Sequence, residues 1–95
     1  MQKALVMNEQ DNTATALCNL YKGETVTVSA DKKQVTVELA EAIAFGHKFA
    51  LKTILKGEPV VKYGASIGRA TADIAPGMHI HTHNLEGIRG RGDWQ

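Results

Sequence analysis

The sequence predicts a mainly β domain of short strands with one short helix, and three observations carry that expectation. Glycines punctuate the second half at Gly46, Gly57, Gly64, Gly68 and Gly77, with Pro59 and Pro76 close to two of them, which cuts the chain into segments too short for long helices. Residues 25–28 (Thr-Val-Thr-Val) and 35–39 (Val-Thr-Val-Glu-Leu) alternate polar with apolar side chains, the period of a half-buried strand. The aromatics are limited to Trp94, Tyr21, Tyr63, Phe45 and Phe49 within an apolar fraction of 43%. The interior must therefore be assembled from Val, Ile, Leu and Ala, which favours strands over a large helical core.

Taken in order, residues 3–7 form a short apolar run suited to a first strand. Asp11 is placed to cap a brief helix over 13–20, with Asp11 and Asn12 acting locally as a cap and turn pair. Lys22-Gly23-Glu24 ends that helix. The two alternating segments, joined by the polar stretch Ala30-Asp31-Lys32-Lys33, read as an antiparallel hairpin. Further strands are expected over 47–53, 60–62, 66–72 and 79–82, with no internal repeat among them. The folded domain is expected to occupy 1–84. Residues 85–95 then form an irregular Gly/Arg-rich tail containing Gly87-Ile88-Arg89-Gly90-Arg91-Gly92-Asp93, whose arginines face solvent or a partner.

A chain of 95 residues supports one hydrophobic core. Its formal net charge of +1, from 11 basic and 10 acidic side chains, gives no broad field for a polyanion and argues against nucleic acid as a partner. Cys18 has no second cysteine to pair with, and the start Met-Gln-Lys-Ala-Leu-Val-Met lacks the apolar run of about seven residues found in a signal peptide. No segment approaches the roughly 20 apolar residues of a membrane span. These features lead to the expectation of a soluble protein of the reducing cytoplasm.

Two stretches carry chemistry. Gly46-His47-Lys48 sets an imidazole beside an ammonium after a flexible glycine, at the mouth of an apolar strand. Such a pair suits a carboxylate, and an imidazole with an ordinary pKa of about 6.5 suits proton transfer near neutral pH. The competing use is structural, with His47 capping a turn and Lys48 solvated. In His79-Ile80-His81-Thr82-His83-Asn84 an extended strand would project three imidazoles from one face. Neighbours two apart, with Cβ atoms roughly 6.6 Å from each other, can share an ion at about 2.1 Å, whereas the outer pair at roughly 13 Å cannot join them on a flat strand. A metal ion there needs ligands from elsewhere, and the competing use is a polar face packed on a partner. Lys62-Tyr63-Gly64 offers an amine and a phenol either to a ligand or merely to a strand end. Arg69 is an anion ligand if it faces a cleft and a solvated strand residue otherwise.

Asp11-Asn12, Gly46-His47-Lys48-Phe49-Ala50-Leu51, Lys56-Gly57-Glu58, Lys62-Tyr63-Gly64, Ile67-Gly68-Arg69-Ala70, Asp73-Ile74 and His79-Ile80-His81-Thr82-His83-Asn84 occur in that order. In this series the chain resembles, nearly end to end, the amino-terminal domain of the altronate and galactarate dehydratase family. The resemblance implies a SAF-type, beta-clip fold. It extends to the small alpha subunit of sulfolactate sulfo-lyase and to small subunits of two-part altronate-type dehydratases. The galactarate branch departs from the triple-histidine pattern, so the altronate-like branch is the nearer match.

The function so implied is that of a small subunit of a hydro-lyase or sulfo-lyase acting on a sugar acid or another 2-hydroxy acid. It would complete the active site of a large catalytic subunit and be inactive alone. The resemblance also implies divalent iron in the assembled enzyme. His47 and Lys48 are carried over as catalytic contributors, and His81 and His83, in one stretch with His79, as a metal-side or interface element. Lys62, Tyr63 and Arg69 stand as candidate substrate contacts. Elimination of this kind needs a base for the proton next to the carboxylate, an electrophile for the developing enediolate and an acid for the leaving group. An apolar patch around Gly46 and His79 could drive self-association when the large subunit is absent. The rival class is a non-catalytic SAF module that binds a carbohydrate or a protein. Saturable affinity of the chain alone would distinguish it.

Overall fold

Four copies of one seven-residue device organise the chain. The computed structural model describes residues 3–8, 10–30, 33–81 and 83–87. Within them, Leu20, Ile43, Ile54 and Ile74 each begin a segment that turns on a glycine three residues later and ends three residues after that on Val26, Phe49, Val60 or Ile80. All eight end residues are buried. Gly23, Gly46, Gly57 and Gly77 have φ of 87°, 85°, 89° and 83°, the left-handed backbone that favours glycine in a β-turn. Each turn closes in the same way, with the N–H of Glu24, His47, Glu58 or Met78 donating to the C=O of Tyr21, Ala44, Leu55 or Ala75. The leading aliphatics then pair antiparallel, Leu20 with Ile43 and Ile54 with Ile74. The expectation of no internal repeat is thus corrected. The glycines are separated by 23, 11 and 20 residues, and this uneven spacing conceals the recurrence.

The mainly β expectation holds, and no helix occurs among the described residues. The strands are β1 (Ala4–Leu5), β2 (Thr13–Ala16), β3 (Thr25–Ala30), β4 (Lys33–Glu38), β5 (Lys48–Ala50), β6 (Pro59–Lys62), β7 (Ala65–Ala70), β8 (His79–Ile80) and β9 (Leu85–Gly87). They form an antiparallel sheet of order β1-β2-β5-β8, a β3-β4 hairpin and a sheet of order β6-β7-β9. The hairpin is the one expected from alternation, in register from Thr25↔Glu38 to Ala30↔Lys33; Asp31 and Lys32 lie outside the described residues.

The short helix expected over 13–20 is instead β2 and the approach to the first turn. Thr-Ala-Thr-Ala has a period of two, and its β-branched threonines prefer the pleat once both neighbouring strands are present. The tail expected to be irregular from residue 85 begins as β9, paired with β7 through Gly68↔Gly87 and Ala70↔Leu85. Residues 88–95, with Ile88, Arg89, Arg91 and Trp94, lie outside the described residues.

Two apolar clusters support these sheets. One centres on Phe49 with Leu20, Leu39 and Ile43, and the other on Ile54, Val60, Ile74 and Ile80. Asp11 and Asn12 tie the first sheet to the β6–β7 hairpin instead of serving a local cap. Both are buried. Asp11 Oδ1 accepts from Gly64 N–H at 2.7 Å, Asn12 Oδ1 accepts from Val61 N–H at 2.7 Å, and Asn12 Nδ2 donates to Pro59 C=O at 3.0 Å. Asn12→Ala leaves a backbone donor and acceptor without partners and is expected to cost about 2–3 kcal/mol in urea unfolding. Asn12→Asp keeps the acceptor for Val61 and should cost less.

Candidate active site

The second and fourth copies of the turn device meet edge to edge. β5 and β8 pair through Lys48↔Ile80 and Phe49↔His79, and the buried Phe49 and Ile80 fix the strands from below. His47, one residue before β5, therefore stands beside His79, with its Nδ1 2.9 Å from His79 Nε2. In the other three turns the side chain after the glycine folds back on its own backbone. Glu24 Oε1 accepts from Tyr21 N–H at 3.0 Å, Glu58 Oε1 from Leu55 N–H at 2.8 Å, and Met78 Sδ from Ala75 N–H at 3.1 Å. His47 occupies the same position and turns its ring to another strand. Its turn is held from outside, where Asn19 Oδ1 accepts from Phe45 N–H at 2.9 Å. The competing reading of His47 as a turn cap does not describe this geometry.

His79 is the hub of four imidazoles. Its ring centroid lies 5.0 Å from His47, 5.5 Å from His81 and 5.7 Å from His83, and His47 and His81 are 5.5 Å apart. This gathering corrects the extended-strand geometry expected over 79–82. β8 ends at Ile80, and the chain bends around the buried Asn84, which donates from Nδ2 to His79 C=O at 2.8 Å and accepts at Oδ1 from His81 N–H at 3.0 Å. Glu41 Oε2 accepts the His79 N–H at 2.9 Å. Burial, and then the facing rings of His47 and His81, hold His79 below the ordinary imidazole range. Among the described residues no three His, Cys, Asp or Glu side chains are arranged to hold one metal ion. An ion at His81 and His83 therefore requires ligands beyond these.

His47, Lys48, Gly46, Ile80 and His81 line a depression of about 140 Å³, well under the roughly 300–1,000 Å³ of a site that encloses a small molecule. It has room for one small functional group. Lys48 is half-buried, and desolvation, followed by the nearby Lys62 ammonium, lowers its pKa from the usual lysine value. A lysine so lowered sheds its proton in the folded state before it does so in the unfolded chain. Stability therefore rises as pH climbs towards the unfolded value of about 10.4, and at neutral pH the buried charge is a burden. Lys48→Met is expected to keep or raise the melting temperature at pH 7 and to flatten that alkaline rise, as followed by thermal melts across the range.

The remaining sequence-expected residues lie elsewhere. Lys62 Nζ rests 4.8 Å from the Tyr63 ring centroid while acting electrostatically on Lys48. Tyr63, at φ 55° on the β6–β7 turn, is exposed and lines an apolar groove with Leu5, Met7 and Asn8. Arg69 is exposed on β7 between its register partners Pro59 and Glu86. Neither Tyr63 nor Arg69 lines the histidine depression. Sequence reasoning missed Glu41 and Asn19 altogether and gave Asn84 no role. Their tasks depend on contacts with backbone distant in sequence, or on a bend that local pattern does not reveal.

Residues 2–87 match the family model described as the altronate/galactarate dehydratase SAF domain. The chain is 51% identical over 74 residues to altronate dehydratase of Escherichia coli (strain K12), covering 78% of this chain and 14% of that protein. It is 39% identical over 86 residues to altronate dehydratase of Bacillus subtilis (strain 168), covering 90% of this chain and 16% of that protein. It is also 39% identical over 59 residues to the (2R)-sulfolactate sulfo-lyase subunit alpha of Paracoccus pantotrophus, covering 62% of this chain and 88% of that protein. The chain thus spans about a seventh of the altronate dehydratases it matches and most of that sulfo-lyase subunit. With a matched model that runs from the start of β1 through β9, the chain belongs to the altronate/galactarate dehydratase SAF-domain family.

Proposed function

We propose that this domain forms one wall of a lyase active site whose opposite wall belongs to a larger catalytic chain, and that the assembled enzyme eliminates water or sulfite from a 2-hydroxy acid. The observation that carries the reading is the depression at Gly46–Lys48. It presents an imidazole and an ammonium side by side, yet it is too small to enclose a substrate. The 88% coverage of a protein named as an alpha subunit supports a two-part assembly, and the names of the relatives supply altronate and sulfolactate as the substrates to try.

In this reading Lys48 takes the substrate carboxylate, where a desolvated ammonium makes a stronger charge-assisted bond than a solvated one. His47 moves the proton at the neighbouring carbon or on the leaving group. Lys62 adds positive potential behind Lys48. The divalent iron that accompanies the family chemistry would be held with His81 and His83 and completed by ligands of the larger chain, where it would polarise a substrate oxygen as a Lewis acid. The domain is expected to fold alone and to turn over nothing alone. The test is to assay altronate dehydration and sulfite release from sulfolactate with this chain, with a large lyase chain and with both. Turnover only in the mixture supports the proposal, while turnover by the isolated chain, or saturable sugar binding with no effect on any lyase, overturns it.

A further inference from the structure

Resting on the reading of His47 as a proton-transfer group, we infer that His79 is its positioning residue, accepting from Nδ1 of His47 and so directing the His47 Nε2 lone pair into the depression beside Lys48. The 2.9 Å contact occupies Nδ1 of His47 and Nε2 of His79, which leaves Nε2 as the free nitrogen of the imidazole that lines the depression. The two partners are not equivalent. His47 is exposed at a turn, whereas His79 is half-buried, with its N–H bonded to Glu41, its C=O bonded to Asn84 and its Cα in register with Phe49. The better-anchored ring orients the freer one. The exception among the four turns has the same meaning, since Glu24, Glu58 and Met78 each bond back to their own turn, Glu24 also reaching Lys3, whereas the His47 ring bonds to His79 on β8 instead.

In the resting pair His47 carries its proton on Nδ1 and donates it in the hydrogen bond to Nε2 of His79. His47 Nε2 accepts one proton from the substrate and becomes an imidazolium whose Nδ1–H still points at His79. Returning the proton to the leaving group restores the pair, and His79 neither gains nor loses one. An imidazole acceptor thus does the orienting that a carboxylate does in a serine-hydrolase triad.

Two measurements test this. In the full chain, two-bond ¹H–¹⁵N NMR on the neutral imidazoles should find His47 in the Nδ1–H form, and His79→Ala should return it to the Nε2–H form while the remaining amide spectrum shows the fold retained. An Nε2–H His47 in the parent chain overturns the assignment, and this arm needs no turnover, so it stands or falls separately from the proposed function. In the assembled enzyme, His79→Ala should lower kcat between about 10- and 100-fold with KM nearly constant. His79→Gln, whose amide oxygen can accept from Nδ1–H, should recover part of the loss, and His79→Phe should not. Unchanged kcat in His79→Ala, or equal recovery by Phe, overturns the positioning role. If the alanine variant does not fold, the Gln and Phe pair carries the same decision.

Discussion

Gly77→Ala is expected to cost about 3–4 kcal/mol, a large share of the roughly 5–15 kcal/mol that holds a domain folded. Two penalties combine. At φ 83° a Cβ clashes with its own backbone, for about 1–2 kcal/mol. A Cβ built at Gly77 would also stand 2.2 Å from Glu38 O, 2.9 Å from Ala40 N and 3.0 Å from Leu39 Cα, so backbone must move to admit it. Gly57 separates the two terms, because it has φ 89° and nothing within 4 Å of the same built atom. Gly57→Ala should therefore cost only the conformational term, about 1–2 kcal/mol. At about 4 °C or more per kcal/mol, Gly77→Ala should melt more than about 12 °C below the parent, with Gly57→Ala between. Equal losses in urea melts of the two variants would mean that the backbone around Leu39 yields freely. Since Gly77 N–H donates to Ala50 C=O at 2.8 Å and Gly77 is the third residue of the Ala75–Met78 turn that leads into β8, the substitution also displaces His79. Loss of the His47–His79 contact is expected even under conditions where Gly77→Ala remains folded.

What could be read from sequence divides along the range of the interaction. The β3–β4 hairpin was legible because alternation over 25–28 and 35–39 is local, and each residue's neighbour across the hairpin is set by the turn. Gly46-His47-Lys48 and the run from His79 to Asn84 were legible as chemistry because their residue types are rare together. Their union was not, since the bond from His47 to His79 spans 32 positions and depends on β5 pairing with β8. Asn12 misleads for a related reason. An Asp-Asn pair before threonines resembles a helix cap, and only the β6–β7 hairpin 47 to 49 residues away explains its burial. The turn device was present in the letters, as Leu or Ile, then Gly, then Val, Phe or Ile at intervals of three, but uneven spacing hid it. Once seen, it supplies something that pattern reading of any one copy cannot, namely what a residue after the glycine normally does.

That comparison makes His47→Glu the most discriminating substitution at the site, with opposite signs expected for stability and for turnover. Glu24 and Glu58 hold the equivalent position in the first and third turns, and each caps its own turn through a carboxylate oxygen. A glutamate at 47 should fold back in the same manner onto the 44–47 turn and raise stability by about 0.5–1 kcal/mol, or a few degrees in melting temperature. It also removes an imidazole that reaches His79 and replaces it with an anion beside Lys48, the residue proposed to take the substrate carboxylate. Loss of one general acid–base group lowers turnover by about 100-fold or more, and like-charge repulsion should raise KM as well. His47→Ala provides the reference, since it lacks both cap and imidazole and should melt near the parent while losing the same turnover. A gain in stability at the expense of activity is the pattern for a residue placed for chemistry against local structural preference. If His47→Glu assembles with the larger chain and keeps full kcat, or if both variants fall together in melting temperature while the folded enzyme works normally, His47 serves the fold and the proton-transfer role is withdrawn.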